Sequence, residues 1–255
     1  MDLTDLTWPR VASLPRTTPV ILPIAALEQH GHHLPLFTDS LLLGEVVRRM
    51  RGELGGEALF APLLWLGNSH HHLAQPGTLS AAPRTYLDIL SGLADNVIGH
   101  GFRRVLFLNG HGGNDVPARQ AVYELRQRHR ATEGLLLLSA TYWDLASPPA
   151  GVGLHQAEMG HACEWETSMM LALAPHLVHG HERVEAVPPG VGFGPASRGW
   201  TMADRSEPGH LGWPGLAEAG KGEALFEAFA RGAVGLVRRM AAWDGRSWDA
   251  PEAVA

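Results

Sequence analysis

Short apolar runs alternate with longer segments of helical periodicity along most of this chain. Four runs rich in aliphatic residues have the length of buried strands, at 18–25, 58–66, 104–108 and 134–140. Five segments carry apolar residues at helical spacing, at 39–50, 86–100, 115–129, 164–174 and 222–243. Strands that alternate with helices predict a three-layer α/β sandwich with a mostly parallel central sheet.

The remaining sequence predicts one domain with an irregular region near its end. Residues 183–220 are rich in glycine and proline and have few long apolar runs, which is typical of loops. Pro62 indicates a strand start or an irregularity within the second apolar run. The chain shows no internal repeat, low-complexity tract or domain linker, so we expect a single domain over residues 1–255.

Charge and cysteine content exclude several classes of protein. The chain has 20 basic and 26 acidic residues, a net charge of -6, which argues against binding to nucleic acids or to membrane surfaces. Its single cysteine cannot form an intramolecular disulfide, and the N-terminal segment lacks the apolar core of a signal peptide. No apolar run approaches the roughly 18 residues that a membrane span requires. We therefore expect a cytoplasmic protein.

Histidines cluster where the predicted strands end. The chain has 15 histidines, and those at 30–33, 70–72 and 111 each follow a predicted strand at its carboxyl end. In α/β proteins with parallel sheets, ligands bind beyond that edge of the sheet. Histidine is also the commonest metal ligand among side chains. The pattern predicts one shared site to which all three segments contribute.

The segment after the first strand has the residue types of a metal site. Glu28 and His30 lie two residues apart, so in an extended backbone they point to the same side. A carboxylate and an imidazole together suit zinc or manganese. Asp39, at a predicted helix start, has two oxygens and could bridge two metals; it could also cap its helix, and both roles are compatible.

His111 lies in a glycine-rich turn, Asn-Gly-His-Gly-Gly-Asn at 109–114, between a strand and a helix. Small neighbours allow the backbone and a substrate to approach closely. The turn does not fit the Gly-x-Gly-x-x-Gly pattern, and no Gly-Lys-Ser/Thr follows it, so nucleotide binding is not expected. Residues 67–72 and 75–78 are predicted to form a loop at the rim of the site. At most two of its three consecutive histidines could serve one ion.

The segment 160–168 contains a third group of candidates. If a helix begins here, Glu164 lies three residues after His161 and faces nearly the same way, whereas Glu166 points elsewhere. Cys163 has no identifiable partner of a nucleophilic thiol, so a buried structural role is expected.

These residues together resemble the creatininase (creatinine amidohydrolase) family. The segment 23–39 is similar to the opening motif of that family, and the similarity extends over about residues 7–240. Shorter matches are Pro-Gly-Thr at 76–78, the turn at 109–114, Gly-His-Ala at 160–162, Glu-Thr-Ser at 166–168 and Ala-Glu-Ala-Gly-Lys-Gly at 217–222. The resemblance implies a three-layer α/β fold, a site for two divalent metals (zinc, manganese or iron), and often a hexamer. It implies hydrolysis of an amide C–N bond by a metal-activated water.

The resemblance also implies roles for individual residues. Glu28, His30, Asp39 and His111 become metal ligands, with Asp39 bridging the two ions. His161 matches the histidine that moves protons at the scissile nitrogen. Substrate contacts are expected from residues around the site, namely Trp143, which is similar to a pocket tryptophan of creatininase, and Ser69 and His72 on the rim loop.

Two departures from creatininase itself affect the expected chemistry. Creatininase has a ligand glutamate two residues after the turn histidine, where this chain has Gly113. Our hypothesis is that Glu164 fills that place. A second pocket tryptophan is replaced by Ala157, which argues against creatinine as the substrate.

Several functions stay open at this point. We expect an amidohydrolase that acts on C–N bonds other than peptide bonds. The same family also contains enzymes that deformylate a pyrimidine precursor and peptidases that trim a small peptide precursor. A hydrolase with one metal and a non-enzymatic metal-binding scaffold are the remaining alternatives.

Overall fold

Four parallel strands form the central sheet of the protein, for which a computed structural model describes residues 1–251. The strands are β1 (Pro19–Ile24), β2 (Leu59–Phe60), β3 (Arg104–Asn109) and β4 (Leu136–Thr141). The helices are α1 (Trp8–Ala12), α2 (Thr38–Leu54), α3 (Pro83–Gly99), α4 (Asp115–Arg128), α5 (Glu164–Leu173) and α6 (Ala219–Ala242). Several short 3₁₀ turns connect them.

The strand order is β2-β1-β3-β4, and each neighbouring pair in the described residues is parallel. Val20 in β1 pairs with Leu59 on one side and with Val105 on the other, and Val105 pairs with Leu137. The order reverses between β1 and β3, and in folds of this kind ligands bind beyond the carboxyl ends of the strands at such a point. The predicted parallel sheet is confirmed, and its order places the segments after β1 and β3 side by side.

The sheet carries a separate apolar core on each face. Ile21 of β1 packs in a core with α2, α5 and α6, whereas Val20 and Leu22 on the opposite side of the strand pack in a core with α3 and α4. Such alternation follows from the two-residue period of a strand. All six residues of β1 are buried, which explains why it reads as a continuous apolar run. The three-layer α/β architecture is therefore confirmed.

The second strand is much shorter than the apolar run that predicted it. Only Leu59–Phe60 forms a ladder with β1, and pairing resumes at an isolated bridge between Leu64 and Ile24. Pro62 lies between these two contacts and has no N–H to donate to a neighbouring strand. The predicted loop region 183–220 is confirmed in its main features, with short 3₁₀ turns at Met202–Asp204 and Pro214–Leu216.

Helices α5 and α6 cross at very short range because the contact residue on α6 is Gly222. A Cβ at Gly222 would overlap the carbonyl group of Ser168 and lie 2.6 Å from the amide nitrogen of Met169. The crossing fixes the middle of α5, at Ser168 and Met169, against α6. Although α6 has 24 residues, no helix within residues 1–251 is long and apolar enough to cross a membrane.

Candidate metal centre

Four side chains predicted to share a site come together at the carboxyl edge of the sheet. Glu28 and His30 follow β1, Asp39 lies in the first turn of α2, and His111 follows β3. All four residues are buried. Their meeting follows from the parallel sheet, because the carboxyl ends of neighbouring strands lie at one edge.

Asp39 lies between the two imidazoles that flank it. Its Oδ1 is 3.2 Å from His30 Nε2, and its Oδ2 is 3.1 Å from His111 Nδ1. Glu28 Oε1 lies 3.3 Å from the same His111 nitrogen, and Glu166 Oε1 lies 3.7 Å from His30 Nε2. Carboxylate and imidazole atoms thus alternate through the buried centre.

Within residues 1–251, three overlapping triads offer ligand atoms that all lie within 4.8 Å of one another. These triads are His30–Asp39–Glu166, Glu28–His71–His111 and Glu28–His30–His161. Asp39 contacts histidines of both of the first two triads. Together these side chains form a buried set of oxygen and nitrogen donors that suits a divalent metal.

The buried carboxylates have oxygens that the protein does not satisfy. Glu28 Oε2, Asp39 Oδ2 and Glu166 Oε2 accept no hydrogen bond of acceptable geometry from any residue in the described chain. An uncompensated buried carboxylate is strongly unfavourable, so such groups are paired with cations or coordinate metals. Three oxygens of this kind among histidines form a donor set that fits zinc or manganese.

The pKa values reflect this packing of opposite charges. Burial acts to lower the pKa of His30, but the neighbouring Asp39 and Glu166 carboxylates outweigh it and raise the pKa well above the usual range. Burial also acts to lower the pKa of His111, but the carboxylates of Glu28 and Asp39 outweigh it and raise that pKa well above the usual range. The pKa of Asp39 is lowered, because the two imidazoles outweigh its burial. Burial raises the pKa of Glu28. The centre therefore favours positive charge held between its carboxylates.

His71 occupies the space beside the turn glycine. A Cβ at Gly113 would overlap the carbonyl oxygen of Asn68 and lie 2.5 Å from His111 Nε2 and 2.8 Å from His71 Cε1. The His71 ring stacks on the His111 ring, with centroids 5.8 Å apart and planes 12° apart. With this backbone, a side chain at position 113 would overlap the His71 ring where it now lies.

The structure corrects the assignment of Glu164. One oxygen of Glu164 accepts a hydrogen bond from Lys221 Nζ at 2.9 Å, and the other accepts from the backbone N–H of His155 at 2.8 Å. Both oxygens of Glu164 therefore have partners within the protein, and Glu164 belongs to none of the three triads. Glu166, which the sequence analysis placed on another face, points into the centre instead.

The physical reason for this error lies in the backbone before α5. The helix begins only at Glu164, its N-cap Cys163 is extended, and Ala162 has φ 47°, in the left-handed region. Helical spacing therefore cannot be counted from His161. Cys163 is buried as predicted, and burial, reinforced by Glu166, raises the pKa of its thiol to about 12.

Gln29 links the histidines at the open side of the centre. Its Nε2 lies 2.7 Å from His72 Nδ1 and donates to the carbonyl of Gly209 at 2.8 Å. His161 Nε2 lies 2.8 Å from the backbone oxygen of Gln29, and His161 Nδ1 lies 3.6 Å from Glu28 Oε1. The pKa of His161 is lowered well below its usual value by burial and then by His30. His161 is therefore neutral at pH 7.

The three residues expected to bind substrate lie in different surroundings. Ser69 is buried, with its hydroxyl 3.3 Å from His111 Nε2. His72 is buried against Glu28, and burial together with the neighbouring His71 lowers its pKa to about 2. Trp143 is half-buried and contacts Tyr142 at the edge of the core. Substrate contacts from these residues stay predictions.

Three functional candidates were missed from the sequence: Glu166, His71 and Gln29. His71 lies on a 3₁₀ turn, His70–His72, that turns its ring toward the centre and sends His70 Nδ1 to Ser80 Oγ at 2.8 Å. In the sequence, only the position of His71 among three consecutive histidines indicated a role for it. Nothing in the Glu-Gln-His sequence at 28–30 indicated a role for Gln29.

The open side of the centre is bounded by aromatic and basic side chains from the loop region. The ring of Trp200 lies 5.0 Å from that of His71, edge to face, and the Arg205 guanidinium lies 4.7 Å above the Trp200 ring. His161 keeps 13% of its side chain exposed, whereas the side chains of Glu28 and His30 are 1% and 0% exposed. His161 is therefore the most solvent-accessible of these three side chains.

Comparison with known proteins gives a consistent relationship over nearly the whole chain. The family model for creatininase, described as creatinine amidohydrolase, matches residues 4–237. The creatinine amidohydrolase of Pseudomonas putida is 30% identical over 235 residues, covering 86% of this chain and 88% of that protein. The mycofactocin precursor peptide peptidase of Mycolicibacterium smegmatis is 32% identical over 225 residues, covering 86% of this chain and 84% of that protein.

Solved creatininase structures share the fold. A glutamate-to-glutamine variant of creatininase complexed with creatine has a TM-score of 0.81 and 28% identity, covering 95% of this chain and 99% of that chain. A manganese form of creatininase and a Zn-Zn type of the glutamate-to-glutamine variant each match with a TM-score of 0.78. The resemblance noted in the sequence motifs is thus confirmed. The chain belongs to the creatininase family of metal-dependent amidohydrolases.

Proposed function

We propose that this protein hydrolyses an amide C–N bond of a small molecule at a centre that holds two divalent ions. The observation that carries the proposal is the set of three buried carboxylates, each with an oxygen that the described residues leave unsatisfied, within triads that also contain histidines. A buried arrangement of this kind is unfavourable unless cations compensate it. It is also the arrangement in which a water can be activated at neutral pH.

Each ion would be held by a distinct set of side chains. His30, Asp39 and Glu166 form one set, and Glu28, His111 and His71 form the other, with Asp39 able to bridge. His71 takes part because its ring fills the space that a side chain at position 113 would need. Zinc or manganese fits such mixed oxygen and nitrogen donors, and availability decides between them.

The residues around the ions supply the proton transfers. Bound divalent ions would lower the pKa of a water from 15.7 toward about 7 and polarise the substrate carbonyl. His161 is neutral, and its Nε2 donates to the backbone oxygen of Gln29, so the lone pair of Nδ1 faces the centre. Nδ1 takes the proton released as water attacks and returns it to the leaving nitrogen. Amide nitrogen leaves poorly without a proton, and such catalysis contributes about 10²–10⁴-fold.

The substrate is a non-peptide amide in our proposal, which the similarity to creatinine amidohydrolase supports. A peptide substrate is the second candidate. Ala157, at a position where creatininase has a pocket tryptophan, is exposed and supplies no aromatic group there. The similarity to a precursor peptide peptidase favours the same alternative.

The test is a substrate screen on protein loaded with zinc or manganese, using creatinine, formamides and short peptides. We expect turnover of one class, and His161→Ala should lower kcat by at least about 100-fold while metal content stays near normal. His100→Ala serves as the control, because His100 is exposed and lies at the amino-terminal edge of the sheet, before β3. Loss of metal in His161→Ala would make His161 a ligand. No turnover of any class would contradict the proposal.

The ligand role of His71 has its own matched control in the neighbouring residue. His71→Ala should reduce the affinity for one of the two ions, whereas His70→Ala should leave both unchanged, because His70 contacts Ser80 instead. Metal affinity is measured by competition with a chromophoric chelator. Equal affinity in both variants would remove His71 from the ligand set.

Assembly into a homo-oligomer, which the family resemblance implies, is a further part of the proposal and is measured by light scattering.

A further inference from the structure

The side-chain amide of Gln29 has one fixed orientation. Its Oε1 accepts a hydrogen bond from the backbone N–H of Gly31 at 2.9 Å, and its Nε2 donates to the carbonyl of Gly209 at 2.8 Å. A backbone N–H only donates and a carbonyl only accepts, so exchange of the two amide atoms would break both contacts. The NH₂ group therefore faces His72 and His161.

This orientation determines which nitrogen of His72 carries the proton. Gln29 Nε2 lies 2.7 Å from His72 Nδ1, and an amide NH₂ can only donate there. Nδ1 of His72 must then be the acceptor, and a neutral imidazole with an acceptor at Nδ1 carries its hydrogen on Nε2. His72 Nε2 lies 3.4 Å from Glu28 Oε1, so the tautomer decides whether a hydrogen or a lone pair stands beside that oxygen.

The consequence reaches Glu28, which is 1% exposed and whose Oε1 also lies 3.3 Å from His111 Nδ1 and 3.6 Å from His161 Nδ1. A donor at His72 Nε2 attracts Oε1, whereas the other tautomer would turn a nitrogen lone pair toward the same oxygen. Residues that orient a metal ligand through a hydrogen bond typically change metal affinity 10–100-fold when mutated.

His161 is fixed by a different group of the same residue. Its Nε2 lies 2.8 Å from the backbone oxygen of Gln29, which can only accept, so Nε2 carries the hydrogen and Nδ1 faces Glu28. Gln29 Nε2 also lies 3.1 Å from His161 Nε2, but the backbone oxygen is closer and stays in place when the Gln29 side chain is changed. The two histidines should therefore respond differently to mutation of Gln29.

We infer that Gln29 is a positioning residue that selects the Nε2–H tautomer of His72 and thereby orients Glu28 toward the ions. The effect on Glu28 rests on the proposed function, whereas the tautomer itself does not. The two hydrogens of the Gln29 amide are directed at Gly209 and His72, and the same nitrogen lies 3.1 Å from His161 Nε2, so the residue connects the loop region with the centre.

The test replaces Gln29 with glutamate, which has the same shape but no N–H. In Gln29→Glu the carboxylate would accept from His72 Nδ1, so that nitrogen should become protonated, while His161 keeps its hydrogen on Nε2. Gln156→Glu is the control: Gln156 is also buried, donates to the carbonyl of Glu158, and contacts neither histidine. Two-dimensional ¹H–¹⁵N NMR of the imidazoles, on protein freed of metal by chelation, reports the protonated nitrogen.

Two readouts separate the failure of this inference from the failure of the proposed function. The tautomer assignment is supported if His72 Nδ1 carries no hydrogen in the wild type and in Gln156→Glu but is protonated in Gln29→Glu. A protonated Nδ1 in the wild type would overturn it, whatever the protein catalyses. Zinc affinity of Gln29→Glu should fall about 10–100-fold relative to both wild type and Gln156→Glu. A wild type that binds no zinc would contradict the proposed function while leaving the tautomer result intact.

Discussion

Replacing Gly222 with alanine tests the close crossing of α5 and α6. The added Cβ would overlap the carbonyl group of Ser168 and lie 2.6 Å from the amide nitrogen of Met169. These are backbone atoms, which cannot turn aside as a flexible side chain can. Overpacking of a buried contact costs about 1–3 kcal/mol, and contact with several backbone atoms places this variant near about 3 kcal/mol.

A helix-interior alanine also stabilises α6, and this gain must be subtracted. Alanine is about 1 kcal/mol more favourable than glycine inside a helix, so the net destabilisation of Gly222→Ala is about 2 kcal/mol. For a chain of this size the melting temperature should fall by about 4–8 °C. Differential scanning calorimetry of the metal-free protein measures this shift.

The matched control is Gly235→Ala in the same helix. A Cβ at Gly235 meets no atom within 4 Å, so only the helix gain applies and the melting temperature should rise by about 2–4 °C. Opposite shifts in the two variants would support the crossing. A Gly222→Ala protein as stable as wild type would refute the packing of α5 against α6 described above.

Three further predictions concern buried polar groups. Cys163 should react with iodoacetamide at pH 8 at least about 1000-fold more slowly in the native protein than in urea, because its thiol is buried and its pKa is raised to about 12; equal rates would contradict this burial. Glu164→Gln should cost about 3 kcal/mol by breaking the ion pair with Lys221, yet leave metal content unchanged; lost metal would restore Glu164 as a ligand. Burial, then His210, lowers the pKa of His33 to about 4. The folded protein binds a proton at His33 less readily than the unfolded chain does. The free energy of unfolding is therefore unaffected by His33 above pH 6.5, and it decreases by about 3 kcal/mol as the pH falls from 6.5 to 4. Urea titrations should show a shallower decline for His33→Gln.

The layers of the fold and much of the centre could be predicted because both depend on local patterns. Continuous apolar runs indicate strands buried on two faces, and parallel strands bring their carboxyl ends to one edge. That rule alone brings the segments of Glu28 and His111 together. It does not depend on any contact between distant residues, which is why it succeeds.

The errors arise where direction depends on backbone geometry that the sequence does not display. Glu164 and Glu166 exchange roles because Ala162 adopts a left-handed conformation and breaks the helical count from His161. The partnership of His71 with Gly113 depends on two loops meeting in space, and neither loop predicts the other. The shortening of the second strand at Pro62 was indicated, but its extent depends on where pairing with β1 resumes.

The central claim is that two divalent ions are held between Asp39, Glu166 and the surrounding histidines. Inductively coupled plasma mass spectrometry, on protein purified without chelator and then dialysed against trace zinc, tests it most directly. We predict about two ions per wild-type chain and about one in Glu166→Gln, because that variant removes a carboxylate from one set only. A wild type without bound metal, or a Glu166→Gln protein that retains both ions, would contradict the account.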